Sequence, residues 1–327
     1  MGKTRVRIVY MGTPEIAADV LKELLSMKDK AEIVGVFTQP DKPVGRKQIL
    51  TPSPVKELAL SEGIPVFQPR RIKKERPVQQ LKDLNPDLIV VTAYGQILSE
   101  EILNIPPHGC INMHASLLPK YRGAAPIQWS IVRGEKVTGV TAMKMDKGMD
   151  TGDILLQKEV EILPDETEET LLHKLSKAGS LLIRETVEKL ADGQILPQIR
   201  QEEEKATYAP IIVKEDGLID WNRPAQDIDR MIRGFHVWPG AYSFFEDKKL
   251  TLLEARIREA ENPSAIPGTI LAEEATGKKP KFLVQTGDGI LEITKLQLQG
   301  KKAMAAADFL RGVRQIPEKL GVINDLV

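Results

Sequence analysis

Along the first half of the chain, short runs of apolar and β-branched residues alternate with longer stretches in which apolar residues return every three or four positions. That alternation is how a mostly parallel sheet with helices on both faces reads. Residues 5–11 (RVRIVYM) predict the first strand, and Gly12-Thr13-Pro14 a tight turn into a helix ending near Met27. Further strands are expected at 31–38, 64–67, 88–92, 109–114, 137–145 and 154–160. Helices are expected at 54–62, 77–84, from Ala125 through Trp129, and over 166–190, where Leu171, Leu172, Leu175, Leu181, Leu182, Val187 and Leu190 recur at helical spacing. Residues 39–54, rich in Pro, Lys and Gly, read as a long loop.

Beyond residue 191 the periodicity stops and charge rises, so 1–191 forms one expected domain and 192–207 a linker. In 208–327, short apolar runs at 242–245, 250–257, 267–272, 282–286 and 290–298 are separated by Gly, Pro and Asn turns, with one helix near 225–235. This predicts a smaller β-rich C-terminal domain, a barrel rather than a sandwich at such a length.

A length of 327 residues suits two domains. The lone cysteine, Cys110, excludes an internal disulfide and any multi-cysteine metal site, and suggests a reducing compartment. No apolar run is long enough to span a bilayer, and a cytoplasmic protein, a monomer with no membrane attachment, is expected. The 46 basic residues balance the 46 acidic ones, and the signs balance on both sides of residue 206. Zero net charge argues against a nucleic-acid partner only in sum; local basic clusters remain at Lys42, Arg46 and Lys47, at Arg70, Arg71, Lys73, Lys74 and Arg76, and at Lys301 and Lys302.

Phosphate-cradling, dinucleotide, zincin and serine-hydrolase motifs are all missing. The informative stretch is CINMHASLLPKYR, residues 110–122, where strand alternation puts Asn112 and His114 on one face near the strand's carboxyl end. Ligands of open α/β sheets bind at that edge. Residues 145–153, MDKGMDTGD, lie between two strands and can bring a carboxylate to the same place. Taken alone, Asn-x-His also reads as a hydrogen-bonded structural pair, and the Asp-rich loop as a solvated turn. Together, an amide, an imidazole and a carboxylate suit transfer of an acyl group to an amine: Asn and His donate hydrogen bonds to a developing oxyanion, and Asp orients the His or manages a proton.

Asn112-x-His114, Ser116-Leu117-Leu118-Pro119, Arg122-Gly123-Ala124-Ala125-Pro126-Ile127 and Asp150-Thr151-Gly152-Asp153, with Ala93-Tyr94-Gly95-Gln96-Ile97-Leu98 upstream, resemble the folate-dependent formyltransferase family. Residues 37–43 (FTQPDKP) with Gly45-Arg46, residues 52–56 (PSPVK) and residues 300–304 (GKKAM) resemble the branch that acts on aminoacyl-tRNA. The resemblance runs in order over nearly the whole chain. It implies an α/β fold: a Rossmann-like N-terminal domain with a mostly parallel sheet, then a smaller β-barrel, OB-like, at the C-terminus. It further implies 10-formyltetrahydrofolate as formyl donor, no metal, and the α-amine of methionyl initiator tRNA as acceptor.

By the same resemblance the catalytic set is Asn112, His114 and Asp150. The folate site is formed by Tyr94, Gly95, Gln96, Ile97, Leu98, Ser116, Leu117, Leu118, Pro119 and Asp146. Contacts to tRNA fall to Lys42, Arg46 and Lys47 in the long loop, and to Lys214, Lys301 and Lys302. Relatives often carry a lysine soon after Tyr-Ala-Pro; this chain has Ile211 and Ile212 there, so Lys214 is expected to serve instead. Two other readings share the core motif: a formyltransferase acting on an amino-sugar nucleotide, and a noncatalytic RNA-binding protein on the same scaffold.

Overall fold

The computed structural model describes residues 5–45, 47–258, 265–275 and 280–321. The chain runs β1 (Val6–Gly12), α1 (Glu15–Leu25), β2 (Ala31–Phe37), β3 (Lys42–Val44), β4 (Ile49–Thr51), α2 (Pro54–Ser61), β5 (Val66–Phe67), α3 (Glu75–Leu84), β6 (Leu88–Thr92), α4 (Glu100–Leu103), β7 (Cys110–His114) and β8 (Arg122–Gly123). It continues through α5 (Pro126–Val132), β9 (Val137–Lys144), β10 (Ile154–Glu161), α6 (Glu168–Ala191), β11 (Tyr208–Ala209) and α7 (Ala225–Gly234). Next come β12 (Ala241–Phe245), β13 (Lys248–Arg258), α8 (Ala272–Ala275), β14 (Phe282–Gln285), β15 (Ile290–Leu298), β16 (Met304–Ala305) and α9 (Ala306–Gly312). Among the described residues no helix is long and apolar enough to cross a membrane.

Two compact units emerge, and neither is one continuous stretch. The first takes residues 1–126, 137–161 and 172–209; the second takes 127–136, 162–171 and 210–327. In the first, a seven-stranded sheet has the order β10-β9-β7-β6-β1-β2-β5. Strands β5, β2, β1, β6 and β7 are mutually parallel, and β9 turns antiparallel beside β7. All five residues of β6 (LIVVT) are buried, as a strand covered on both faces must be. Helix α1 is amphipathic at the expected spacing, burying Ile16, Ala17, Val20, Leu21 and Leu24. Ser53 caps α2, its hydroxyl accepting from the Lys56 amide at 3.1 Å, with Pro54 in the first turn.

The second unit carries an antiparallel sheet of order β12-β13-β15-β14, with β16 beside β15. Isolated bridges Phe244 to Gly321, Thr269 to Lys319 and Ile270 to Val284 link β12 back round to β14, so the small sheet curls into a barrel-like ring. Phe245, Phe282 and Phe309 fill its interior, with Phe282 and Phe309 stacked 6.0 Å apart. Helix α7 packs closely on α5: a Cβ on Gly234 would come within 2.6 Å of Val132. Trp129 meets the edge of Phe235 at 5.5 Å.

Three local expectations shift. The long loop contains the hairpin β3–β4, which pairs Lys42 with Thr51. Residues 267–272 form only bridges, at Thr269 and Ile270, and then enter α8. The short pair of β8 and β11, parallel to each other, arises where the sequence has no strand-length apolar run.

Candidate active site

Strand β7 carries Asn112 and His114 two residues apart, hence on one face of the sheet. His114 is 6% exposed, and both ring nitrogens are accounted for. Nε2 lies 2.9 Å from the Tyr121 carbonyl and Nδ1 3.8 Å from Asp150 Oδ2. A carbonyl only accepts, so Nε2 carries a proton whether or not the ring is charged, and Nδ1 is the nitrogen free to gain or lose one. The Asn112 side chain is half-buried and makes no hydrogen bond to another described residue, which leaves its amide available.

The Asp150 loop, residues 145–153, leaves β9 at the wrong end for this role. Lys144 pairs with Ile111, and the Met145 amide donates to the Cys110 carbonyl at the amino end of β7. The loop therefore doubles back to bring Asp150 toward His114. Asp150 sits in the left-handed region at φ 56°, a conformation aspartate adopts at modest cost. Its Oδ2 accepts from the Gly123 amide at 2.9 Å. At Gly152 a Cβ would collide with the Lys144 carbonyl, so the turn requires glycine. Inside the loop, Asp146 Oδ1 accepts from the Gly148 amide at 2.9 Å and the Thr151 hydroxyl at 2.7 Å.

Beneath the site, Arg122 is buried, 1% exposed, which a charge tolerates only when paired and hydrogen-bonded. Its Nη1 donates to both Glu203 carboxylate oxygens at 2.9 and 3.0 Å, and its Nε to Gln201 Oε1 at 3.0 Å. Gln201 Nε2 then donates to the main-chain carbonyls of Asp150 at 2.9 Å and Gly152 at 2.7 Å. No sequence pattern marks out Gln201 or Glu203, and Tyr121 and Arg122 stand out only as the end of the 110–122 stretch and, for Arg122, as part of the Arg122-Gly123 motif.

The residues expected at the folate site fall into two groups. Ile97 is exposed, while Leu117 and Pro119 are half-buried around β7's exit, where Leu118 packs on Met143, Met145 and Ile154. Gly95 (φ 83°) makes the left-handed turn after Tyr94. The others are engaged in structure. Tyr94 and Leu98 are buried in the core behind β6, and burial raises the Tyr94 phenol above its usual range, its hydroxyl having no partner among the described residues. Gln96 accepts from the Ile72 amide at 2.8 Å and donates to the Pro69 carbonyl at 2.9 Å. The Ser116 hydroxyl donates to the Lys120 carbonyl at 2.6 Å. Cys110 is buried and its thiol pushed up to about 12, which makes it inert.

Of the expected RNA contacts, Lys42 and Lys47 are exposed on the β3–β4 hairpin beside Val44, Ile49 and Leu50, which are 57, 62 and 69% exposed. Arg46 lies outside the described residues. The hairpin's base is clamped: Asp41 accepts from Lys56 Nζ and from Gln68 Nε2, both at 2.7 Å, and these bonds hold its carboxyl below the usual range. In the second unit, Lys214, Lys301 and Lys302 are all exposed.

Residues 4–187 match the model of the formyl transferase family, and residues 211–314 that of the formyl transferase C-terminal domain. The chain is 48% identical over 314 residues to a methionyl-tRNA formyltransferase of Citrifermentans bemidjiense, covering 96% of each. It is 49% identical over 306 residues to that of Trichlorobacter lovleyi, covering 94% of each. Among solved structures, the fold is similar to WlaRD, a sugar 3N-formyl transferase, with TM-score 0.65, 19% identity and coverage of 91% of this chain and 100% of the other. It is also similar to Aquifex aeolicus HypX in complex with tetrahydrofolic acid, with TM-score 0.61, 18% identity and coverage of 95% of this chain and 48% of the other.

Proposed function

This chain belongs to the formyl transferase family, and we propose that it moves the formyl group of 10-formyltetrahydrofolate to the α-amine of methionyl initiator tRNA, giving the formylated tRNA that starts translation. An α-amine has an ordinary pKa of about 7.7 to 8.0, so a useful fraction is neutral near pH 7 and attacks without a strong base. Its nitrogen bonds to the formyl carbon and the carbonyl electrons move to oxygen. Asn112 and the charged His114, through Nδ1–H, donate to that oxyanion.

The Tyr121 carbonyl fixes which imidazole nitrogen does this, because it keeps Nε2–H occupied. Asp150 faces Nδ1 and helps carry the amine's proton to the departing folate nitrogen as the C–N bond breaks. The observation that carries the reading is His114 held between Tyr121 and Asp150, on the strand that also bears the unengaged Asn112 amide. The hydrophobic walls at Leu117 and Leu118, with main-chain groups at 94–98, would receive the folate ring. Lys42, Arg46, Lys47, Lys214, Lys301 and Lys302 would meet tRNA phosphates.

Adding charged initiator tRNA to enzyme and formyl donor should release tetrahydrofolate, seen by its absorbance, together with formylmethionyl-tRNA. Turnover with an amino-sugar nucleotide and none with charged tRNA would overturn the acceptor; no turnover with either would overturn the enzyme.

A further inference from the structure

The segment 199–209 covers most of the expected linker 192–207 and the first two residues beyond it, yet it is tied into the first unit along its length. Ile199 bridges to Ile154 through 2.8 and 3.0 Å hydrogen bonds, the Thr207 hydroxyl accepts from the Tyr121 amide at 2.9 Å, and β11 pairs with β8. Within it Gln201 is 8% exposed, unusual for a glutamine in a charged stretch. Its amide is oriented without ambiguity: Arg122 can only donate, so Oε1 faces Arg122, and NH2 faces the carbonyls of Asp150 and Gly152.

We propose that Gln201 is a positioning residue for Asp150: locked by the Arg122–Glu203 pair, its amide holds the Asp150 and Gly152 carbonyls and so keeps the carboxylate facing His114. Asp150 has a left-handed backbone, which aspartate adopts at modest cost and which is held here at both its side chain and its carbonyl. Its carboxylate accepts from the Gly123 amide, while its main-chain carbonyl accepts from Gln201. Arg122 and Gly123 are adjacent, so β8 grips the same aspartate twice, directly by Gly123 and through Gln201 by Arg122. A buried amide with both hydrogens on one loop and its oxygen on a buried guanidinium has no freedom to follow a displaced loop.

The inference rests on the catalytic reading of Asp150 above, and its test separates the two. In the full chain, Gln201→Met keeps length but donates nothing; Gln201→Glu keeps Arg122's partner and the packing but cannot donate to a carbonyl. Both should lower kcat on the order of 10²-fold, the cost of a displacement of about 1 Å, with KM for either substrate within about two-fold. Added to Asp150→Asn, either should cost less than about three-fold more, because the two residues act as a unit. Equal losses in both backgrounds, a change confined to KM, or a Gln201→Glu enzyme of near-normal kcat would each overturn the proposal.

A second readout needs no turnover. Amide hydrogen exchange should accelerate over residues 145–153 in Gln201→Glu while β7 exchanges as in the parent; an unchanged loop would overturn the proposal. If the parent shows no activity toward tRNA, the acceptor reading fails, and exchange still decides the role of Gln201.

Discussion

Two loops of the first unit are built on opposite plans. The loop 145–153 is held from three sides, by Gly123 on the Asp150 carboxylate, by Gln201 on two carbonyls, and by its own Asp146 turn. The hairpin 42–51 is fastened at its base, by Asp41 with Lys56 and Gln68, and presents lysines and exposed apolar side chains beyond it. A group that must meet a proton within hydrogen-bond reach gains from immobility, whereas a surface that must follow a large polyanion gains from display. Residues of the first loop should therefore act on kcat and those of the second on KM.

The largest effect should come from His114→Ala or Asp150→Asn, each lowering the single-turnover rate on the order of 10³-fold with binding of both substrates retained. A fall in tRNA affinity of similar size would erase the contrast between the loops. Next, Asn112→Ala should cost about 10² to 10³ in kcat, the usual worth of one oxyanion donor. A rate near normal would remove Asn112 from the site.

Replacing Lys42, Arg46 and Lys47 together by Ala should raise KM for tRNA and leave kcat nearly intact. It should also flatten the dependence of affinity on salt, by roughly 0.7 to 0.9 in the logarithmic slope for each phosphate no longer neutralised. An unchanged slope would mean that the hairpin touches no phosphate.

The smallest effect belongs to the clamp. Asp41→Asn should weaken tRNA binding a few-fold at most, by loosening the hairpin's base. Because the Asp41 carboxyl is held below its usual value, the stabilisation it provides is present in full above an unfolded pKa of about 3.9 and is lost only as pH falls through the lower folded value. The ratio of variant to parent affinity should thus be flat from about pH 5 to pH 9; a ratio that drifts across neutral pH would point to another titrating group.

What could be read from the chain depended on whether its cause was local. Strand β7 and the shared face of Asn112 and His114 followed from simple alternation, and the covered strands β1 and β6 from the apolar runs 8–11 (IVYM) and 88–91 (LIVV). The hairpin was masked by proline and glycine, because its six paired residues bury nothing that would leave a periodic trace. Gln201 was invisible for a different reason: its partner Arg122 is 79 residues away, and an amide between charged neighbours has no pattern of its own. Residues 94–98 were legible as a motif, but which side chains enter the core behind β6 is decided by left-handed turns at Ala93 and Gly95 that no apolar periodicity encodes.

The interleaving of the two units has a practical meaning for anyone recombining such enzymes. Helix α5 belongs with the C-terminal ring, since Trp129 donates to the Pro210 carbonyl at 2.9 Å and rests on Phe235. Glu168, at the start of α6, receives the Val237 amide and Gln128, and Arg233 donates to the Glu166 carbonyl. A gene cut after Ala209 would therefore not release a finished module; it would strand residues 127–136 and 162–171 without the neighbours they fold against. Exchanging the C-terminal part between relatives requires three separate stretches of matched sequence, so this half of the molecule is inherited as a patchwork rather than as a cassette.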